Sequence, residues 1–200
     1  LLLSSAASDV YKRQGNMPIE LALSRDGDNW KRPFRNKWFI PPLDNKEIFD
    51  ASLIWSNATP IFLKDVFRFY YGAYGKPWNS SDGAQISGIG LAEMPRNRFG
   101  GIEPIERFGQ ITLRSIELNK VKGIEINGDA TNGSIRPEIL SDDGYRIPGY
   151  TKNDVKPLQT DSLKHQVKWN QKKIRDLPSG QYKLRLHLEN SEIFAITIRY

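Results

Sequence analysis

The stretch YKLRLHLE, Tyr182–Glu189, alternates without a break: Tyr182, Leu184, Leu186 and Leu188 point one way, and Lys183, Arg185, His187 and Glu189 the other. A period of two belongs to a β-strand with one face in a core and one toward water. The pattern extends in both directions. TLRSIELN, KGIEINGDA, SIRPEILSDDGYRIPGY, HQVKW and EIFAITIRY are further short strands, with DDG and PSG as turns between some of them. Such a meander of half-buried strands reads as a two-sheet β-sandwich over residues 108–200, long enough for its own core. No segment has the apolar spacing of an amphipathic helix, so the predicted fold class is all-β.

Upstream, ASLIW (Ala51–Trp55), VFRFYYGAYG (Val66–Gly75) and SGIGLAEM (Ser87–Met94) also read as strands, separated by clusters of Gly, Pro, Asn and Asp. IELALSRDGDNW from Ile19 is echoed 70 positions later by IGLAEMPRNRF from Ile89. Each has isoleucine, a leucine-alanine pair, a polar turn and an aromatic, Trp30 or Phe99. Asp26-Gly27 is a hairpin tip, because those residues sit easily at the positive φ of a tight turn. Four strands in about 70 residues, with an outer hairpin recurring, is the signature of a β-propeller blade. Residues 15–107 are therefore expected to form the last one and a half blades of a partial propeller, which cannot close by itself. The inner strands of the first hairpin's sheet are expected to lie outside this chain, and Trp30 to pack between blades. Residues 1–14, LLLSSAASDVYKRQ, resemble translated library-adapter sequence and are expected not to belong to the natural protein.

The 200 residues are 38% hydrophobic and 26% charged, ordinary for a globular chain. No apolar run approaches the roughly 18 residues of a membrane helix. The absence of cysteine excludes disulfides, thiolate metal sites and a cysteine nucleophile, and says nothing of compartment. Localisation is left open; an extracellular or periplasmic location would need a signal peptide in the N-terminal part. Nothing in the residues sets the oligomeric state. Net charge is +6, and Thr151–Tyr200 holds ten Lys or Arg against five Asp or Glu. These charges alternate with apolar residues, so they are read as a solvated sheet face; an anionic partner such as an acidic polysaccharide or nucleic acid is the functional alternative. No nucleic-acid motif accompanies them.

LALSRDGDNWKRP, Phe49-Asp50, FYYGAYG and GIGLAEMPRNRFGGIEP resemble the closing part of a five-bladed propeller of the glycoside hydrolase family 32 and family 43 type. ITLRSIELN, IEINGDATNGSIRPEIL, DDGYRIPGYTKNDVKPLQTDSLKHQVKW and YKLRLHLENSEIFAITI are similar to the sandwich that follows that propeller in bacterial family-32-like proteins. The resemblance covers almost everything after Gln14 and implies a carbohydrate partner and cleavage of glycosidic bonds at the propeller axis. Its catalytic motifs, Trp-x-Asn-Asp-Pro, Arg-Asp-Pro and Glu-Cys on the first three blades, do not occur here. No catalytic residue is carried over, and the fragment alone is expected to be inactive. A non-catalytic glycan-binding or scaffold protein on the same fold is the alternative.

Within this frame Asp50, just ahead of ASLIW, is the one carboxylate placed near the funnel. It is read as a turn-former tying a loop to backbone amides, with a hydrogen-bond acceptor for a sugar hydroxyl as the functional alternative. Tyr74 and Trp78, in the loop GAYGKPWNSSDG, are the candidates for stacking on sugar rings. Tyr70 and Tyr71, inside the strand, are expected to be buried between blades. SRDGDNW is similar to the Asp box of sialidases, but Gly27 follows Asp26 one residue too soon, so it is read as a hairpin tip. His165 and His187 match neither a zinc site nor a catalytic triad, and no metal or cofactor is expected.

Overall fold

The computed structural model describes residues 16–200 apart from 36, 46, 58, 78–80 and 82. The adapter-like residues 1–14 and Trp78 lie outside the described residues. The fold is all-β. Its strands are β1 (Leu53–Ser56), β2 (Ile61–Phe62), β3 (Val66–Tyr74), β4 (Ser87–Pro95), β5 (Phe108–Thr112), β6 (Ile116–Leu118), β7 (Gly123–Asp129), β8 (Ser134–Ser141), β9 (Asp161–Gln166), β10 (Gly180–Glu189) and β11 (Glu192–Arg199). Among the described residues the one helical element is a 3-10 turn, Ile174–Asp176, and no helix is long and apolar enough to cross a membrane. The chain divides into two compact units, one ending at Pro95 and the other Arg96–Tyr200.

In the first unit β3 is central. It pairs antiparallel with β4 along its whole length, while β1 and β2 share its other edge. The alternation in VFRFYYGAY sends Phe67, Phe69 and Ala73 to a buried face, where Phe39 meets Phe69 edge-on at 5.2 Å. The DG hairpin forms as expected, closed by paired hydrogen bonds between Leu23 and Lys31 of 2.8 and 2.9 Å. Its stem finds a partner inside the chain: Met17 bridges Leu53 of β1 in parallel. The echo does not mark equivalent positions either. Ile19 and Leu21 are 3% and 4% exposed, whereas their counterparts Ile89 and Leu91 on β4 are 80% and 47% exposed. Both segments share alternation followed by a turn, which many strands have, and burial is set by what each sheet faces.

Asp26 is the hub of the hairpin tip, accepting from the Asn29 side chain and backbone, the Ser24 hydroxyl and the Asp28 amide at 2.7–3.0 Å. These donors, the Asn29 amide first, hold its carboxyl well below the usual range. Trp30 is exposed at this tip rather than packed between sheets, and its indole N–H donates to the Gly27 carbonyl at 2.8 Å.

The second unit has two antiparallel sheets. In one, β10 lies between β8 on one edge and β5 and β6 on the other; in the second, β7 lies between β9 and β11. Leu184, Leu186 and Leu188 of β10, Ile135 and Ile139 of β8, Ile124 and Ile126 of β7 and Ile193 of β11 meet in one core. Full burial of each such side chain contributes about 1.5–3 kcal/mol. Arg98 ties the lead-in segment to the second sheet. Its Nε donates to Asn127 Oδ1 at 2.9 Å and its Nη atoms grip the Asp161 carboxylate, while its guanidinium lies 4.5 Å over the Phe194 ring.

Candidate functional site

Phe49 and Asp50 precede β1 and fold back over β3 and β4. Gly88 and Gly90 make this possible, because a Cβ there would lie 2.7 Å from Phe49 Cγ and 2.2 Å from Tyr71 Cζ respectively. Two glycines two apart on one strand face leave a bare backbone strip, and the Phe49 and Tyr71 rings stack along it with centroids 6.4 Å apart. The Tyr71 hydroxyl thereby reaches Asp50 and donates to its Oδ2 at 2.7 Å. Asp50 is only 5% exposed, and its carbonyl accepts from the Leu43 amide at 3.0 Å. Burial first, then the hydrogen bond and charge of Asp50, push the Tyr71 phenol up to about 12.

Asp50 is thus tied down by a phenol. Tyr74 stands on the other side: Phe67, Phe69, Tyr71 and Ala73 share one face of β3, and Arg68, Tyr70, Gly72 and Tyr74 the opposite one. Tyr74 packs edge-on against Trp55 at 5.3 Å and is about a third exposed. The sheet therefore separates Asp50 from Tyr74. Tyr70, expected to be buried, is half exposed on the Tyr74 face beside its directly paired neighbour Leu91.

In the second unit the polar side of YKLRLHLE carries a constellation that composition and spacing do not reveal. Glu138 of β8 has no exposed surface. Its Oε2 meets His187 Nε2 at 2.8 Å, and Arg146 Nε lies 3.0 Å from Oε1. The Arg146 contact is ionic only, since Oε1 has no aligned hydrogen-bond donor. Glu138 falls within the mixed run RPEIL, where nothing local marks it as buried; its partner was visible only as a histidine on a polar face. His165 is different. Its Nε2 lies 2.9 and 3.1 Å from the Thr160 and Gly128 carbonyls, so that nitrogen carries the hydrogen and the ring ties β9 to β7.

The basic excess of Thr151–Tyr200 is not spread only over a sheet face. Lys168, Lys172, Lys173 and Arg175 gather with Lys122 around a cleft of about 450 Å³ after β9, with Val167, Trp169 and Ile174 also in its lining. Among the described residues no group of three His, Cys, Asp or Glu side chains is placed to hold a metal ion. Comparison with protein families, with curated proteins and with solved structures finds no significant match to this chain.

Proposed function

We propose that this chain is the C-terminal part of a carbohydrate-active protein of the glycoside hydrolase family 32/43 type. In this reading the first unit supplies the last one and a half blades of a five-bladed propeller, and the second is the β-sandwich that follows. The observation that carries it is the outer face of β3 and β4, where Tyr70, Tyr74, Ile89 and Leu91 are exposed opposite a face that is already buried. A sheet with apolar side chains on both faces, its outer one carrying the Arg68–Glu93 ion pair at one end, suits a stack of blades, in which each is covered by two neighbours. The two sheets of the second unit, sharing one core, suit a sandwich.

Glycoside hydrolysis needs two carboxylates about 5–9.5 Å apart, one of them able to give up a proton to the leaving group. Asp50 is buried and held by Tyr71, and no second carboxylate is described in contact with it. In this reading the catalytic carboxylates would come from preceding blades, and the chain on its own contributes binding. The engagement of Asp50 by Tyr71 also favours the second reading, a non-catalytic glycan-binding protein on the same fold. Extending the coding sequence upstream tests both. Three further blades bearing two aspartates and a glutamate at the axis support the hydrolase, and blades lacking them support the binder. An upstream sequence with no blade pattern at all removes both readings.

A further inference from the structure

Three strands set Gln110 of β5, His187 of β10 and Arg136 of β8 in one row, since His187 is directly opposite both neighbours in the antiparallel register. Directly opposed residues project from the same face with Cβ atoms about 4.5–5.5 Å apart. Leu186 and Leu188, on the other face, are in the core, so the row looks outward. It borders an open cleft of about 610 Å³, whose walls also include Phe108, Lys152 and Glu189. That volume lies within the roughly 300–1,000 Å³ of small-ligand sites.

The charge balance of the cleft is positive. Arg136 and Lys152 are cationic, and Glu189, the carboxylate among the described lining residues, is held by Arg107, whose Nη2 and Nε lie 2.7 and 3.1 Å from its Oε1. His187 is pinned through Nε2 by the buried Glu138, which fixes the ring plane and leaves Nδ1 as its other polar atom. Phe108, 65% exposed, supplies an apolar wall. A planar guanidinium, a second cation, an amide and an oriented imidazole beside an aromatic ring complement a ring compound that carries hydroxyls and one carboxylate.

We propose that this cleft binds a uronic acid residue of an acidic polysaccharide. Arg136 takes the carboxylate, Lys152 adds long-range attraction, Gln110 and His187 bond to ring hydroxyls, and Phe108 covers the apolar face of the sugar. The saccharide part rests on the carbohydrate reading above and narrows it to an anionic substrate class.

Calorimetric titration of the full chain with tri-galacturonate and with its fully methyl-esterified form tests this, because the two share a backbone and differ in charge. The acid is expected to bind at least tenfold more tightly than the ester. Arg136→Gln should abolish most of that difference, while Lys183→Gln, on the neighbouring strand β10 but outside the cleft, should leave it intact. If Arg136→Gln fails to fold, Lys152→Gln takes its place and should weaken the acid several-fold. Equal affinity for acid and ester overturns the proposal while leaving the carbohydrate reading standing. So does an oligonucleotide of matched charge binding as tightly as the trisaccharide, or the absence of binding to the acid.

Discussion

Tyr71 donates its hydroxyl to Asp50 at 2.7 Å from a ring that lies against the bare backbone of Gly90. Removing the donor leaves a carboxylate that is only 5% exposed short of a partner, so Tyr71→Phe should cost about 1–3 kcal/mol in urea unfolding of the first unit. The phenol is raised to about 12 in the folded chain, above the roughly 10 of an unfolded tyrosine. Between those values the folded state holds a proton that the unfolded state has lost, so this contribution is complete below pH about 10 and disappears as the pH rises toward 12. Ultraviolet titration should show a late Tyr71 phenol, beside that of Tyr150, which burial also raises, and Asp50→Asn should move only the Tyr71 phenol part of the way down. A Tyr71→Phe variant as stable as the parent at pH 8 would contradict the pairing.

Gly90 and Gly72 make a matched pair on neighbouring strands. A Cβ at Gly90 meets the Tyr71 ring at 2.2 Å, whereas at Gly72 nothing lies within 4 Å. Gly90→Ala should lower the melting temperature by several degrees and shift the Tyr71 phenol, while Gly72→Ala should be neutral or slightly stabilising. Equal effects would mean that the ring does not lie on the strand.

Leu186 and Arg185 are neighbours on β10 with opposite fates. Leu186 is 1% exposed in the core, and Leu186→Ala should cost about 2–5 kcal/mol. Arg185 bonds the Thr112 hydroxyl at 2.9 Å on the outer face, and Arg185→Ala should cost under about 1 kcal/mol. Denaturant midpoints that move equally would reverse the strand's orientation.

The lead-in to the second unit carries part of its stability. Arg98 joins Asn127 and Asp161, and Ile102 pairs with Ile193 through bonds of 2.9 and 3.0 Å. A chain spanning Arg96–Tyr200 should unfold cooperatively in urea. One beginning at Phe108 should be less stable by about 2 kcal/mol or more. Identical midpoints would show that the lead-in is dispensable.

Much of this was legible in the residues. Period-two alternation located β3, β4, β10 and β11, and placed the leucines of β10 inward. Turn chemistry located the hairpin at Asp26-Gly27. What escaped was carried by contacts distant in sequence. Arg98 reads locally as part of a polar turn after IGLAEM, yet its partners lie 29 and 63 residues away. The two-residue β2 is too short to show a period. Asp50 could be placed ahead of a strand, but the phenol holding it depends on glycines 38 and 40 positions downstream. Tyr74 and Asp50 looked like neighbours in a funnel until the pleat of β3 put them on opposite faces.

Carbohydrate recognition is the central claim, and retention of the full chain on a panel of immobilised polysaccharides, with released reducing sugar followed in the same wells, measures it most directly. The expected result is reversible retention on at least one polysaccharide, competed by its free oligosaccharide, with no sugar released. A folded chain that no saccharide retains would contradict the account, as would turnover that Asp50→Asn abolishes.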